Sequence, residues 1–311
     1  MGTQGFSQRT RRDARTVRLG AETARVDVVG MVAERRFTTA VTVTARGSKR
    51  VVLDGAPLRS SEDLRRRLPV LAFTPDRLAV VKGGPVVRRA YLDRVLGRVF
   101  PARANLPGAY VRALAQRNAA LRRIRDGESS PAALAPWSAA LARLGTELDA
   151  VRAATASALA PAFRELAASL GLEDASLAYD APGLAVEELD ARVGADLRRG
   201  TTGVGPHLRE IAITAAGRDL RSFGSQGEQR VAVLSLLLAE ASVVGELAGE
   251  PPLLLLDDVL SELDDERRRA LLADVPQEAQ TVVTATSLRA LPPSAEPAQV
   301  VEVRPGVAIL R

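Results

Sequence analysis

Two adjacent carboxylates, Asp257 and Asp258, follow four consecutive leucines, Leu253–Leu256. Four leucines in a row predict a β-strand that is buried on both faces, as the strands of parallel sheets are. Open α/β sheets bind their ligands at the carboxyl ends of such strands. In nucleotide hydrolases the first carboxylate at this place holds Mg²⁺, and a neighbouring carboxylate can orient the attacking water. The alternative is a buried strand that simply ends in polar turn residues.

A short, small and polar segment, Ser222–Arg230, leads directly into a long apolar run that is rich in helix formers, Val231–Glu240. Because the run is apolar all round, it predicts a buried helix. A turn rich in Gly and Ser at a helix start presents free backbone N–H groups and the positive end of the helix dipole, and both attract phosphate. The alternative is an ordinary helix cap, in which Ser225 and Glu228 form a capping box.

These segments resemble the carboxyl-terminal half of the ATPase head of the RecF family, which belongs to the wider ABC and SMC class. The resemblance extends from about residue 6 to residue 284, and its motifs are specific in combination. It is carried by Ser7–Asp13, Leu71–Leu78, Val81–Pro85, Arg88–Arg94, Gln116–Asn118, Val204–His207, Ser222–Arg230 and Leu253–Asp264. It implies an α/β fold, the P-loop NTPase of the ABC/SMC head type. Such a head has a mixed sheet, an antiparallel β lobe and a short, coiled-coil-like helical arm.

The resemblance also implies roles for individual residues, with ATP and Mg²⁺ as cofactors. Asp257 would coordinate Mg²⁺, and Asp258 would be the catalytic carboxylate that polarises water. A switch residue would fall near Thr284 or Thr286. The signature segment would contact the γ-phosphate of an ATP held by a second subunit, and it comprises Ser225, Gln226, Gly227, Glu228 and Gln229. A loop that crosses the dimer interface comprises Ser261, Glu262, Leu263 and Asp264.

The family role implies a recombinational repair protein that binds DNA at single-strand/double-strand junctions and forms an ATP-dependent homodimer. It further implies recombinase loading in gap repair, with RecR and RecO as partners. Two other functions stay open. One is a different ABC/SMC-type ATPase, against which the Val81–Pro85 and Val204–His207 segments argue. The other is a DNA-binding relative that has lost ATP binding.

The chain departs from the family pattern at its beginning. No segment of the 311 residues fits the phosphate-binding pattern G-x-x-x-x-G-K-[ST], and the two lysines, Lys49 and Lys82, lack the required spacing. By comparison with the family the chain begins late. We therefore expect a truncated sequence before residue 1, and a natural relative deficient in ATP binding is the alternative. Whether this chain is itself an ATPase stays open.

Positive charge is concentrated in the first part of the chain. Residues 1–125 hold 27 Lys and Arg against 9 Asp and Glu, and residues 126–311 hold the other 16 basic and 28 acidic residues. An arginine-rich half can neutralise DNA phosphates, which predicts salt-sensitive DNA binding. The alternative for each arginine is an ordinary solvated surface position. The local candidates for DNA contact are Arg65, Arg66, Arg67, Lys82, Arg88 and Arg89.

Three domains are expected. Residues 1–100 form the first part of the head without its phosphate-loop strand, residues 101–200 form the helical arm, and residues 201–311 form the second part of the head with the signature and Walker B motifs. Within the first part, alternating apolar and polar residues over 22–54 predict an antiparallel β lobe.

The arm is predicted to contain helices over residues 109–125 and 137–170. Pro161 should kink or divide the second helix, because proline cannot donate the backbone hydrogen bond and its ring clashes with the preceding turn. The alternative to a projecting arm is a helical hairpin packed on the head.

Composition excludes several kinds of site. There is no cysteine, which excludes disulfides and thiolate chemistry and suits a reducing compartment. His207 is the single histidine, so a histidine-based triad or metal site is not expected, and a structural role is favoured for it. No uncharged apolar run reaches the ~18 residues of a membrane span. We therefore expect a cytoplasmic protein with no membrane partner.

Overall fold

The computed structural model describes the chain except residues 4, 6, 8, 9, 11 and 33, and it describes the backbone but not the side chains of residues 62, 66, 75, 76 and 262. The strands are β1 (Thr23–Val32), β2 (Arg35–Thr44), β3 (Lys49–Leu53), β4 (Ala56–Pro57), β5 (Val70–Phe73), β6 (Ala175–Ala178), β7 (Ala212–Ala215), β8 (Arg218–Asp219), β9 (Leu253–Asp257), β10 (Thr281–Thr284), β11 (Val301–Arg304) and β12 (Val307–Leu310). The helices are α1 (Ser61–Arg67), α2 (Ala79–Lys82), α3 (Pro85–Val99), α4 (Leu106–Arg125), α5 (Ala135–Ser169), α6 (Val186–Ala191), α7 (Val193–Arg199), α8 (Leu220–Phe223), α9 (Gln226–Ala248) and α10 (Asp265–Asp274).

A parallel sheet of strand order β10–β9–β5 lies at the centre of the head. The four leucines form β9, as predicted, and the register pairs Leu254 with Leu71 and Leu256 with Phe73. All four side chains are buried in the largest core cluster, which also contains the apolar residues of α9. One face of the sheet is therefore sealed by α9.

The prediction that the leucine strand is buried on both faces is wrong for its second face. Leu253 and Leu255 are only half-buried, and Val282, the neighbour of Leu255 on β10, is 45% exposed. Within the described residues β10 pairs with β9 alone. This side of the sheet therefore lacks the neighbours that would bury these side chains.

Helix α9 confirms the predicted buried helix, since every residue of Val231–Ala239 is buried. Glu240 follows on the same helix, is fully buried, and pairs with Arg98 of α3 and, at 3.7 Å, with Arg77. Burying a carboxylate is tolerated when it is paired in this way. These ion pairs therefore tie α9 to α3 and to the turn after β5.

The length and composition of α9 would also suit a membrane span, with a mean hydropathy of 1.9 over its most apolar window. However, 67% of that window is buried inside the protein. Such burial is typical of the core helix of a globular head.

The β lobe predicted over residues 22–54 is confirmed, because β1 to β4 form an antiparallel sheet in sequence order. The turn between β2 and β3 contains Gly47, whose φ of +90° is a conformation that glycine adopts without strain. Helix α1 begins at a capping box formed by Ser60 and Asp63. Apolar residues of the lobe and of α1 share one small core, which comprises Val41, Val43, Val51, Leu53, Leu64 and Leu68.

Helices α4 and α5 pack against each other, which confirms the predicted helix pair. Helix α5 runs continuously through Pro161, so the helix is not divided there. In its first half Leu141 and Leu148 pack in a cluster with α4. In its second half Leu159 and Phe163 belong to the core of the head. The helical arm therefore shares α5 with the head, as in the packed-hairpin alternative.

Two further antiparallel sheets complete the described structure. Strands β6, β7 and β8 form one of them, and Leu177 and Ile213 anchor it in the core of the head. Strands β11 and β12 form a terminal hairpin with exposed side chains on both strands. Parallel and antiparallel strands thus lie in separate sheets.

Arg117 connects α4 to the segment that returns to the head. Its guanidinium is fully buried and donates to Asp196 Oδ2 at 2.9 Å, to Thr202 Oγ1 at 2.7 Å and to Ser138 Oγ at 3.2 Å. The adjacent Asn118 accepts the backbone N–H of Thr202 at 2.8 Å. The motif Gln116–Asn118 thus acts structurally, by holding α7 and the following turn against α4.

His207 extends this network and has the structural role predicted for it. Its Nε2 donates to the carbonyl of Thr202 at 3.0 Å, and its Nδ1 accepts the hydroxyl of Tyr110 at 2.8 Å. Burial lowers the pKa of His207 below 6.5, so the ring is neutral at pH 7. A neutral ring can donate at one nitrogen and accept at the other, as this arrangement requires.

We expect Arg117→Ala to lower the free energy of unfolding by about 3–5 kcal/mol, because Asp196 would remain buried without its partner. Arg112→Ala changes an exposed arginine of the same helix, and we expect it to stay within about 0.5 kcal/mol of the parent. Urea titration followed by circular dichroism measures both variants. A loss in Arg117→Ala no larger than in the control would contradict the structural role of this residue.

Candidate nucleotide site

The carboxyl ends of β9 and β10 bring Asp257 and Thr284 side by side. Thr284 Oγ1 donates to Asp257 Oδ1 at 2.7 Å and accepts the backbone N–H of Asp258 at 3.0 Å. Of the two candidates for the switch position, Thr284 therefore contacts the acidic pair, while Thr286 lies exposed beyond the end of β10. Both aspartates are exposed, so two carboxylates face solvent at the end of the sheet.

Asp258 also marks the point at which the chain leaves the sheet. Its φ of +51° lies in the left-handed region, which is uncommon for residues other than glycine and tolerated best by Asn and Asp. The following residues turn away at once, and Ser261 Oγ donates to the carbonyl of Asp258 at 3.1 Å. The two aspartates therefore differ in backbone position, because Asp257 is the last residue of the strand and Asp258 begins the turn.

The signature segment begins α9 with the predicted capping box. Ser225 Oγ accepts the backbone N–H of Glu228 at 3.2 Å, and Glu228 Oε2 accepts the backbone N–H of Ser225 at 2.7 Å. These hydrogen bonds lower the pKa of the Glu228 carboxyl below 4.5. Gln226 and Gly227 are exposed in the first turn, where backbone N–H groups have no acceptor within the helix. The cap and an anion site are therefore compatible.

The structure corrects the expectation that Gln229 contacts the nucleotide. Its side chain is 5% exposed, and its Nε2 donates to the carbonyl of Leu220 at 2.8 Å. It therefore holds the short helix α8 against α9. Gly224 lies between the two helices, where a Cβ would come 2.6 Å from the same Leu220 carbonyl oxygen. The turn before Ser225 consequently requires glycine.

The predicted interface loop follows the acidic pair as a short turn. Ser261 and Asp264 are exposed, as an interface role requires. Leu263 is buried in the core of the head and anchors the loop. The side chain of Glu262 lies outside the described part of the structure. The loop thus offers at least two polar side chains to a partner surface.

Arg267 is a site residue that the sequence interpretation missed. Its backbone N–H donates to Asp264 Oδ1 at 2.9 Å, and its guanidinium lies 3.4 Å from Asp264 Oδ2. Its Nε donates to the carbonyl of Leu170 at 3.1 Å, and its Nη1 lies 3.9 Å from the Cβ position of Gly227. Arg267 thus links the interface loop, the signature turn and the end of α5. The sequence signal that could have indicated Arg267 is Asp264, three residues earlier, because an aspartate there predicts a helix cap and places Arg267 in the first turn.

The signature segment and the acidic pair belong to elements that share one core, because α9 packs on the sheet that contains β9. Burial lowers the pKa of Arg230, in the first turn of α9, and the charge of nearby Asp258 opposes this shift. Arg267 links the signature turn to the interface loop, since it lies near Gly227 and pairs with Asp264. A helix amino terminus attracts phosphate and paired carboxylates attract Mg²⁺. Together these elements therefore offer complementary groups for a metal-bound polyphosphate.

Mg²⁺ and ATP fit these residues in part. Mg²⁺ bound to phosphates usually takes one or two carboxylates from the protein and keeps several waters, and Asp257 offers one carboxylate. Among the residues that the structure describes, no group of three or more His, Asp or Glu side chains could hold a metal unaided. The 311 residues also contain no phosphate loop. These residues thus offer one carboxylate to a metal and a helix start to an anion, and no residues with the spacing of a phosphate loop.

The candidate DNA contacts are unequally placed. Arg67 and Lys82 are exposed, and Arg65 and Arg89 are half-buried. Arg89 also donates to the carbonyl of Arg209. The side chain of Arg66 lies outside the described residues. Arg67 and Lys82 are therefore the members of this set best able to reach DNA.

The structure corrects the expectation that Arg88 contacts DNA. This side chain is 3% exposed and donates to the carbonyl of Val81 at 3.1 Å. Its guanidinium also lies 3.6 Å from Asp219 and 3.8 Å from Glu210. A buried arginine surrounded by acceptors ties α2 and α3 to the β7–β8 hairpin and has no access to a phosphate backbone.

Curated relatives match this chain over most of its length. The DNA replication and repair protein RecF of Heliobacterium modesticaldum is 33% identical over 303 residues, which cover 93% of this chain and 82% of that protein. The RecF of Myxococcus xanthus is 38% identical over 291 residues, covering 87% of this chain and 75% of that protein. The chain belongs to the RecF family. No protein-family model matches it, so membership of the RecF family follows from these relatives.

Solved structures agree with membership of the RecF family. The recombination mediator protein RecF–ATPrS of the RecFOR pathway superposes with a TM-score of 0.83 at 25% identity, covering 99% of this chain and 85% of that one. The Smc head domain of Pyrococcus furiosus, solved with the C-terminal domain of ScpA, gives a TM-score of 0.52 at 16% identity over 97% of this chain and 81% of that one, and it shows the fold alone. The predicted ABC/SMC-type ATPase fold is confirmed.

We expect Ser225→Ala to cost about 1 kcal/mol of folding free energy, because the first turn of α9 loses its cap. Ser225→Asp is the matched control, since an aspartate caps equally well and adds a negative charge at the positive end of the helix. Urea titration measures both. Equal stability of Ser225→Ala and the parent chain would show that the capping box does not hold the signature turn.

Proposed function

We propose that this chain is a subunit of a DNA-repair ATPase that works in pairs. Two copies close so that the first turn of α9 in one faces Asp257 and Asp258 of the other across a shared ATP. The observation that supports this proposal is the exposed acidic pair held by Thr284 at the end of β9, together with the capped, exposed first turn of α9, the helix that packs on the same sheet. A symmetric pairing places each turn opposite the other subunit's carboxylates.

The proposed roles follow from the hydrogen bonds of each residue. Asp257 accepts from Thr284, which orients its second oxygen toward a metal, as outer-shell partners do. Asp258 holds and polarises the attacking water. Its side chain is shorter than that of glutamate, which is compatible with slow hydrolysis. A threonine hydroxyl at position 284 cannot accept a proton as an imidazole would. When bound with ATP, Mg²⁺ would neutralise the negative charge that develops on the phosphate oxygens.

We propose that closure of the pair clamps DNA at single-strand/double-strand junctions during gap repair and supports recombinase loading in the cytoplasm. RecF-family membership supports this role, as does the RecFOR pathway in which the solved relative acts. The basic first part of the chain, with Arg67 and Lys82 exposed, suits contact with a phosphate backbone. RecR and RecO are the partners this role entails. Closure is a shift toward the state that binds ATP better.

A second candidate function is a DNA-binding RecF relative without ATPase activity. The observation that favours it is the lack of the G-x-x-x-x-G-K-[ST] pattern in these 311 residues. ATP hydrolysis by the proposed pair needs a phosphate loop from another segment or polypeptide. The two candidates therefore differ in whether the signature turn and acidic pair become active when a phosphate loop is supplied.

The test is a chimera in which the amino-terminal segment of Myxococcus xanthus RecF, from a protein 38% identical to this one, precedes residue 1. We expect the chimera to form ATP-dependent dimers and to hydrolyse ATP. Asp258→Asn in the chimera should keep the dimer and lower turnover by about 10²-fold or more, because the water loses its base. Sedimentation measures the dimer, and phosphate release measures turnover.

Asp265→Asn is the matched control, because Asp265 is exposed on α10 and pairs with Arg268. The control should turn over like the parent chimera. The 311-residue chain alone should bind ATP only weakly, and micromolar affinity by calorimetry would show that the phosphate loop is dispensable. Unchanged hydrolysis in Asp258→Asn would remove Asp258 from its proposed role, and a chimera that neither dimerises nor hydrolyses ATP would favour the second candidate.

A further inference from the structure

The distal end of the helical arm carries an arginine cluster on two helix ends. Helix α4 ends with Arg122, Arg123 and Arg125, and α7 ends with Arg198 and Arg199. All five side chains are exposed. We call these five residues the arm-tip patch. The sequence alone does not reveal this cluster, because its two groups lie on different helices, far apart along the chain.

Gly200 shows that the two helix ends touch. It caps α7 with a φ of +68°, and a Cβ on it would lie 2.9 Å from Arg125 Nη1 and 3.2 Å from Arg122 Cγ. The positive φ favours glycine at this position. The ends of α4 and α7 therefore form one continuous surface.

Buried contacts fix this arrangement in advance of any ligand. The ion pair between Arg117 and Asp196 joins α4 to α7, at 2.9 Å and with both side chains buried. Asn118 holds Thr202, just beyond the end of α7, by two hydrogen bonds of 2.8 Å. A site held by rigid, packed elements loses little entropy when a partner binds.

The patch carries more positive charge than its own helices require. Basic residues in a last turn stabilise the helix dipole, and each helix end carries about half a negative charge. Two carboxylates also lie in the patch, Asp126 at 3.0 Å from Arg125 and Glu128 at 3.8 Å from Arg123. The two carboxylates and the two helix ends together carry about three negative charges, so the five guanidinium groups leave an excess of about two positive charges. The excess charge is available to an anionic partner.

The patch is distant from the DNA candidates on the head. Helix α4 begins at Leu106, which shares a core cluster with Leu96 of α3. A helix of this length rises about 30 Å from its first residue to its last. The arm-tip patch therefore lies about one helix length from the place where α4 leaves the head, and it extends the reach of the protein along a long ligand.

We propose that the arm-tip patch is a second DNA contact that binds the phosphate backbone of duplex DNA, and this proposal rests on the DNA-binding function proposed above. Guanidinium groups present paired donors that match phosphate oxygens. Duplex DNA carries one charge per ~1.7 Å of helix axis, so a patch of five exposed arginines meets several phosphates at once. The head and the arm tip then hold the same duplex at two points.

The test compares three variants of the 311-residue chain in binding a labelled duplex at several salt concentrations. The arm variant replaces Arg122, Arg123, Arg198 and Arg199 by Gln and spares Arg125, which bonds Asp126. The matched control replaces four exposed arginines elsewhere, namely Arg35, Arg164, Arg269 and Arg289. A head variant carries Arg67→Gln and Lys82→Gln. Circular dichroism verifies that every variant keeps the parent's helix content.

We expect the negative slope of log affinity against log salt to become shallower by about 3–4 in the arm variant, because each of the four lost phosphate contacts contributes about −0.9 to it. The control should change by less than about 1. Trp137, the single tryptophan, lies at the start of α5 at the same end of the hairpin and is 38% exposed. Its fluorescence should change when duplex is added to the parent and stay constant in the arm variant.

An arm variant with the slope of the parent would overturn the arm-tip proposal. If the head variant then loses binding, the proposed DNA function stands without the arm. If the parent chain fails to bind duplex at low salt, the DNA function itself is wrong. A further arm of the test adds polyglutamate at the same concentration of charge as the duplex and follows Trp137 fluorescence. If polyglutamate displaces the duplex from the arm-tip patch, the patch belongs to an acidic protein and the proposal is contradicted.

Discussion

The burial of helix α9 is the constraint on which the rest of the head depends. Its apolar side chains cover one face of the central sheet and contact the second half of α5, so the helix cannot shift without exposing residues worth about 1.5–3 kcal/mol each. Ion pairs of buried Glu240 fix its middle. Because the helix is fixed, its capped first turn at Ser225 keeps its position relative to the sheet that carries Asp257. The candidate site is thus a consequence of core packing.

Sequence patterns predicted those elements whose signals are local. The leucine run gave β9, the Ser225–Glu228 spacing gave the cap, and the apolar run gave α9. The patterns failed where the deciding partner is distant in sequence. Arg88 looks like a surface residue, but the fold buries it against Ile211 and Asp219, which lie more than 100 residues away along the chain. Gln229 is buried for a nearer reason, since α8 folds back so that the carbonyl of Leu220 accepts its amide. The half-open face of β9 at Leu255 escapes sequence prediction, since strand neighbours cannot be counted along the chain.

The family-like motifs outside the candidate site have a physical explanation in the structure. The buried guanidinium of Arg117 and the neutral ring of His207 belong to one hydrogen-bond network, which joins α4 to the turn at Thr202. Such a network is costly unless every member is paired, so these motifs depend on each other. The network holds the arm helices α4 and α7 against the turn that returns the chain to the head.

The central claim is that the signature turn and the acidic pair act together across two subunits. Mixing two inactive variants of the phosphate-loop chimera tests it most directly. One carries Gly227→Asp, which places a negative charge at the turn where a Cβ meets only ordinary van der Waals contacts, and the other carries Asp258→Asn. Random pairing should restore about a quarter of the parent ATPase activity, since mixed dimers hold one intact composite site. Activity no higher than the average of the two separate variants would contradict the account.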